Sequence, residues 1–228
     1  MGKIQATGMN NFIYNNLLAK LPEGNGIMGR DKYFNSVVFV PFLEIDGEWH
    51  LLFQQRAAGI RQPDEVSFPG GGFSSSRDRN CMDTAVRETI EELGVARDSI
   101  IVEGKLDSIV APMGAIIEIF VGRLTDSDIN SYNINPDEVA TIFTIPFNWF
   151  INSECETYKV RLEIQPYMTN GSGETEVIFP AKELGLPERY REPWGGLLHE
   201  VYVYRTKHGV IWGLTAQIVK EIVRIAKK

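Results

Sequence analysis

The chain reads as a mixed α/β protein, a β-sheet with helices on both of its faces, and three observations predict this. Apolar runs of strand length recur along most of the 228 residues. Two amphipathic helical periodicities interrupt them, one mid-chain and one at the C-terminus. The resulting order of strands, helix, strands and terminal helix suits a layered arrangement in which each helix covers the sheet.

Taken in order, Asn11 to Leu21 is expected as a short helix carrying Phe12, Ile13, Leu17, Leu18 and Leu21, ended by Pro22-Glu23-Gly24-Asn25-Gly26. Residues 1–30 would then be a helical extension, a cap or a dimer contact, ahead of a main domain at 31–228. Ser36 to Ile45 and Glu48 to Gln55 flank Asp46-Gly47, a strong hairpin signal. Arg56 to Ser67 is a loop that should bring Arg56 and Arg61 near the helix that follows the glycines. Further strands are expected at Ile100 to Ile109, Ile116 to Leu124 and Val139 to Ile145, the last entered through the turn Asn135-Pro136-Asp137-Glu138. Phe147, Trp149, Phe150 and Ile151 form an apolar cluster suited to the core. Thr157 to Met168, Thr175 to Phe179, His199 to Tyr204 and Val210 to Trp212 are further strands, with Leu184 to Gly196 read as loop. Leu214, Ile218, Val219, Ile222 and Val223 mark the terminal amphipathic helix.

The chemistry concentrates in the middle helix. Met82, Ala85, Val86, Thr89, Ile90 and Leu93 recur at helical spacing as a buried stripe, and Gly94 suits the left-handed residue that closes a helix. Glu88, Glu91 and Glu92 then crowd one patch of the opposite side. Like charges at that spacing destabilise a helix by roughly 0.2–0.5 kcal/mol per pair. Arg87 reaches Glu91 one turn on, which leaves Glu88 and Glu92 unrelieved. The arrangement is either a solvated acidic face or a site for a hard cation such as Mg2+, which takes oxygen ligands. Phe68-Pro69-Gly70-Gly71-Gly72 just upstream favours the cation, because glycines let backbone approach a ligand closely.

The run Arg87-Glu88-x-x-Glu91-Glu92-x-Gly94-Val95 behind a Gly-Gly loop resembles the Nudix box of the Nudix hydrolases. The first half of the box departs from the family pattern. A glycine is wanted fourteen residues before the arginine and a glutamate eight before it, where this chain has Phe73 and Arg79. Either the loop is longer, with Gly71 or Gly72 in the glycine role, or the glutamate is absent, Asp78 being the nearest acidic substitute. Leu51-Leu52-Phe53-Gln54-Gln55-Arg56, Ile60-Arg61 and Val66-Ser67-Phe68-Pro69-Gly70-Gly71 are similar to the signature of the coenzyme A diphosphatase branch. Asn135 to Val139 and Trp212 to Ile218 resemble two later landmarks.

The resemblance implies a Nudix-like α/β/α sandwich with a mixed sheet. It also implies Mg2+- or Mn2+-dependent hydrolysis of the diphosphate of coenzyme A or its thioesters. By the same resemblance Glu88, Glu91 and Glu92 are metal ligands, with Glu88 alternatively a base and Arg87 and Glu91 supporting the chemistry. Arg56, Arg61, Gly70 and Gly71 would bind substrate, and a base from Glu138, Glu154 or Glu163 stays open. Family habit adds a homodimer. Two other readings remain: a Nudix hydrolase of ADP-ribose, a dinucleotide or a damaged nucleotide, and a non-catalytic Nudix-fold binding module, motivated by the altered first half.

Composition narrows the partners. A net charge of −7 gives no electrostatic case for nucleic acid or acidic membranes. An acidic protein binds a phosphorylated small molecule when a cation bridges the two. Cys81 and Cys155 with three scattered histidines form no zinc spacing, and a reducing cytoplasm is the expected compartment. No stretch reaches the about 18 consecutive apolar residues of a membrane span, and no signal-peptide pattern opens the chain.

Overall fold

The computed structural model describes residues 2–22 and 26–228. Helix α1 (Gly2–Ala19) begins well before the expected Asn11. Phe12, Ile13, Leu17, Leu18 and Leu21 are all exposed, so these apolar residues do not pack on the core. Of the segment expected to end this helix, Glu23, Gly24 and Asn25 lie outside the described residues, as does Met1.

The centre of the molecule is an eight-stranded mixed sheet. Strands β1 (Phe34–Ile45) and β2 (Glu48–Arg56) form the expected hairpin. Asp46 and Gly47 both adopt left-handed backbone, φ 51° and 79°, the conformation that matches the twist of paired strands. β2 also pairs antiparallel with the short β3 (Val66–Ser67), and β1 with β4 (Gly70–Gly72). β5 (Ile100–Lys105) and β6 (Ile109–Ala111) lie antiparallel to β7 (Ala115–Leu124), which runs parallel to β1; β8 (Val139–Pro146) pairs with β2. The expected single strand Ile100 to Ile109 is thus two. A register shift between Val102 and Gly104 bends it, and Ser108 turns inward to hydrogen-bond Glu118.

Strand alternation divides the core between two layers. Val37, Phe39 and Leu43 of β1 pack with Leu52, Phe120 and helix α2 (Cys81–Leu93). Val40, Leu51, Phe53, Ile117 and Ile119 point the other way, against Phe150 of helix α3 (Phe147–Asn152) and Ala216, Ile218, Val219 and Ile222 of helix α4 (Gly213–Ala226). Helices therefore cover both faces, as the sequence predicts. Of the expected cluster in α3, Phe150 is fully buried, whereas Trp149 reaches the surface.

Two smaller sheets were not anticipated. β9 (Glu156–Ile164), β12 (Trp194–Thr206) and β13 (Gly209–Trp212) form one, and β10 (Tyr167–Thr169) with β11 (Thr175–Val177) the other. Trp194 to Gly196, read as loop, begins β12. A register shift between Gly195 and Leu197 keeps the strand paired past glycines that break its local pattern.

Helix α2 obeys its local signals. Asn80 caps it by accepting from the Asp83 N–H at 3.0 Å, and Gly94 closes it at φ 66°. Its burial differs from the expected stripe. Met82 is 43% exposed, whereas Glu88 and Glu92, placed on the opposite and wetter side, are buried at 8% and 3%. The glycine strand β4 packs on that side, so the helix is enclosed by sheet and turn together.

Candidate active site

The site begins with a close approach between β4 and α2. β4 pairs with Ser36 to Val38 of β1, which holds it over the helix. A Cβ built on Gly71 would lie 2.4 Å from Cδ of Glu88, so no other residue fits without displacing that carboxylate. The Gly70 N–H donates to Oε2 of Glu92 at 2.9 Å. One turn of helix apart, Glu88 and Glu92 therefore face the backbone of this turn.

Electrostatics mark the same pair. Burial pushes the Glu92 carboxyl up to about 8, against the pull of the Gly70 N–H and with Glu88 and Glu138 adding repulsion. Glu88 is raised as well, by burial first, with Arg87 opposing and Glu91 and Glu138 contributing. Among the described residues no cation pairs with Glu92. Gln54 influences Glu92 from β2, yet neither atom of its buried amide finds a hydrogen bond of normal geometry among the described residues. The Asn135 N–H donates to the Glu92 carbonyl at 3.0 Å, and the Glu138 N–H returns to Asn135 at 3.1 Å. That turn ties Glu138 to the end of α2.

Arg87 does more than the expected pairing with Glu91. Its Nε and Nη2 donate to the two Asp78 oxygens at 2.8 and 2.9 Å, a planar fork on a carboxylate. Its Nη1 donates to Glu88 at 2.7 Å and to Glu91 at 2.9 Å. Glu88 is thus relieved, contrary to expectation, and Glu92 is not. Asp78 also accepts from Thr84 Oγ1 at 2.9 Å, and the Arg87 hydrogen bonds hold its carboxyl down at about 2. Asp78 stands nine residues before Arg87. The extra residue relative to the family spacing therefore lies between Asp78 and Arg87, while Gly72 keeps the family distance of six residues ahead of its acidic partner, Asp78. Arg79, in the nominal glutamate slot, instead binds Asp83 at 2.7 Å.

The other expected residues fall in different places. Glu91 is half-exposed, shared between Arg87 and, at 3.9 Å, Arg77. The Arg56 Nε donates to the Arg61 carbonyl at 3.1 Å, and Arg56 lines a cavity of about 230 Å³ together with Gly70. The Arg61 side chain is exposed and makes no hydrogen bond or ion pair among the described residues. Glu163 is engaged by Arg161 on β9, and Glu154 is exposed beyond α3. Of the later glutamates, Glu138 is the one that acts on Glu88 and Glu92.

Among the described residues, no three His, Cys, Asp or Glu side chains stand in ion-holding geometry. The donor set nevertheless suits a hard divalent cation: two buried carboxylates, one without a counter-charge, an orphaned amide, and a turn with no Cβ in the way. Sequence reasoning quoted Gln54 within a signature but gave it no role; its signal is an amide directly after the apolar run Leu51-Leu52-Phe53. It named Asp78 without seeing that its partner would be Arg87.

Comparison with known proteins bears on this constellation. No protein-family model matches the chain. Over 117 residues it is 32% identical to Nudix hydrolase 3 of Caenorhabditis elegans, a match covering 50% of this chain and 48% of that protein. The chain thus matches about half the length of that relative. Over 214 residues it is 27% identical to the uncharacterized Nudix hydrolase NudL of Yersinia pestis, covering 91% of this chain and 90% of that one. Among solved structures it is similar to a MutT/nudix family protein from Enterococcus faecalis, at 14% identity and a TM-score of 0.47, over 96% of this chain and 70% of that one.

Proposed function

We propose that the chain is a Nudix hydrolase, one of the enzymes that cleave phosphoanhydride bonds in nucleoside diphosphate derivatives with the help of divalent cations, and that it hydrolyses the diphosphate of coenzyme A or its thioesters. The products are phosphopantetheine, or its acyl form, and adenosine 3′,5′-bisphosphate. The observation that carries the catalytic part is the buried Glu88–Glu92 pair against Gly70 and Gly71, with a proton or a cation needed to neutralise Glu92.

Glu88, Glu91 and Glu92 would hold Mg2+ or Mn2+, Glu92 foremost. Such an ion, when bound, supplies positive charge against the diphosphate and acidifies water. Arg87, anchored on Asp78, orients Glu88 and Glu91 at one guanidinium nitrogen. Glu138 is the base that takes the proton of the attacking water, because it is the later glutamate whose charge reaches the pair. Gly70 and Gly71 offer backbone to the diphosphate, and Arg56 and Arg61 bind its phosphates.

The choice of coenzyme A rests on the run from Leu51 to Gly71, similar to the diphosphatase signature. It folds as one continuous unit, β2, loop, β3 and β4, with Arg56 and Gly70 lining the same cavity. The pairing of Arg87 with Asp78 supports catalysis over a silent binding module, because it supplies an acidic residue where the first half of the box lacks its glutamate. A homodimer belongs to the same reading, and a monomer mass in sedimentation would remove it.

The test is product analysis of coenzyme A, ADP-ribose and a dNTP incubated with the protein and Mg2+ or Mn2+, with Glu92→Gln in parallel. Adenosine 3′,5′-bisphosphate from wild type alone supports the proposal. Faster cleavage of ADP-ribose moves the substrate and keeps the site.

A further inference from the structure

The cavity of about 230 Å³ beside Gly70 has a construction of its own. Its floor is apolar, formed by side chains such as Val38 and Ile117 from the main sheet. Two large side chains from distant segments flank it: Trp212, 47% exposed at the end of β13, and Met113, 75% exposed in the β6–β7 turn. The Ser67 hydroxyl lines it, buried and without a hydrogen-bond partner among the described residues.

Gln62 and Glu65 enter it from the loop after β2. That loop is held in an unusual shape, for Gln62 and Asp64 adopt φ of 56° and 62°, left-handed values that a glycine would take without cost. Arg56 closes the loop at its base. Its N–H donates to the Glu65 carbonyl at 3.0 Å, and its own carbonyl accepts from the Asp64 N–H at 3.2 Å. Non-glycine residues persist in such conformations where the surroundings over-determine them, a common property of ligand clamps.

We infer that this cavity takes the nucleobase of the substrate, a purine lying between the Trp212 indole and Met113, its edge read by Gln62, Glu65 and Ser67. This rests on the reading of the site as a nucleoside diphosphate hydrolase and adds which half of the substrate lies where. The base packs beside Gly70, Arg56 meets the adjoining phosphate, and the second half of the substrate extends away from Trp212. A planar aromatic ring gains from an exposed indole and needs donors and acceptors in its plane. A pantetheine arm is a flexible chain whose amides and hydroxyl are spread along its length, so it has no planar ring to lay on an indole and no compact polar edge to match a single cluster of donors and acceptors.

The experiment is calorimetric titration of the wild-type protein, Trp212→Ala and Trp212→Phe with AMP and, separately, with 4′-phosphopantetheine. Neither compound contains the scissile anhydride, so binding is read without turnover. AMP affinity should fall about tenfold or more in Trp212→Ala and return to within about threefold of wild type in Trp212→Phe. Affinity for 4′-phosphopantetheine should not change. Melting curves establish that both variants are folded, and the phenylalanine variant carries the test if alanine unfolds the protein. Loss of 4′-phosphopantetheine binding in place of AMP binding, AMP binding indifferent to Trp212, or no AMP binding to wild type overturns the assignment. If AMP behaves as expected while coenzyme A is not cleaved, the base site stands and the coenzyme A reading falls. If coenzyme A is cleaved and Trp212 has no effect on AMP, the base site falls alone.

Discussion

Replacing Glu92 with Gln should stabilise the metal-free protein, and by an amount that grows with pH. Burial holds the Glu92 carboxyl at about 8, against 4.5 for a free glutamate. The folded state therefore binds more protons than the unfolded one between those values, and stability falls as pH rises through that window. Below pH 4.5 the carboxyl is protonated in both states and costs nothing. Above about 8 the folded protein carries the full cost of an ionised, desolvated carboxylate. At 1.36 kcal/mol for each tenfold change, the separation corresponds to at most ~5 kcal/mol. Water and nearby dipoles, including the Gln54 amide, relax toward the charge, so roughly 2–3 kcal/mol should survive.

Glutamine keeps the shape and an acceptor for the Gly70 N–H while removing the charge. For a chain of this size each kcal/mol moves the midpoint by about 2–4 °C. In EDTA, Glu92→Gln should therefore melt about 5–10 °C above wild type at pH 9 and within about 2 °C of it at pH 5. Other titrating groups are shared and cancel in the difference. Millimolar Mg2+ should reverse the order at pH 8 by stabilising wild type alone. Thermal melts by circular dichroism across this pH range read all of these quantities. A difference in midpoint that stays constant from pH 5 to pH 9 would refute the argument, because Glu92 would then titrate as an ordinary surface carboxylate.

Four further outcomes follow from the same geometry. Arg87→Ala strands the buried Asp78 carboxylate and should cost about 3–5 kcal/mol in urea unfolding; Arg87→Lys, which loses the fork, should recover less than half of it. Because the Asp78 carboxyl is held at about 2, its contribution is complete above pH 4 and is lost as pH falls through 2, so Asp78→Asn should flatten that acid limb of the stability profile. Gly71→Ala, with its Cβ driven onto Glu88, should weaken Mn2+ binding about tenfold or more in a calorimetric titration while moving the melting point little; unchanged Mn2+ affinity would remove the close-approach argument. Glu138→Gln should lower kcat by about 10²–10⁴-fold and abolish the acidic limb of its pH profile, whereas Glu163→Gln, whose carboxylate belongs to Arg161, should not. Wild-type turnover in Glu138→Gln would send the search for the base back to Glu88.

Much of this architecture is legible without coordinates, for reasons that are local. Gly94 ends α2 because its cap is settled by a hydrogen bond reaching only a few residues back along the chain. Asp46-Gly47 sets the β1–β2 hairpin by its own backbone preferences, and the apolar period of Leu214 to Val223 sets α4. The acidic run is readable because Arg87, Glu88, Glu91 and Glu92 lie close together on one helix. The small sheet through β12 is less so, since Gly195 and Gly196 interrupt any pattern of alternation.

Three things were decided by tertiary structure alone. Periodicity placed Glu88 and Glu92 on a wet side of the helix, and β4 packing over them made that side dry. Spacing left the acidic partner of Arg87 undetermined, because a loop of unknown path separates it from Asp78. Gln54 and Trp212 fall within runs that resemble family landmarks, but neither was given a role of its own there, because the groups they face come from distant segments. Hydrogen bonds that cap a helix or close a turn are made within a few residues, so the amino-acid order determined them. The charge state of a carboxylate and the walls of a cavity depend on which distant segments exclude water, and only the assembled chain decides that.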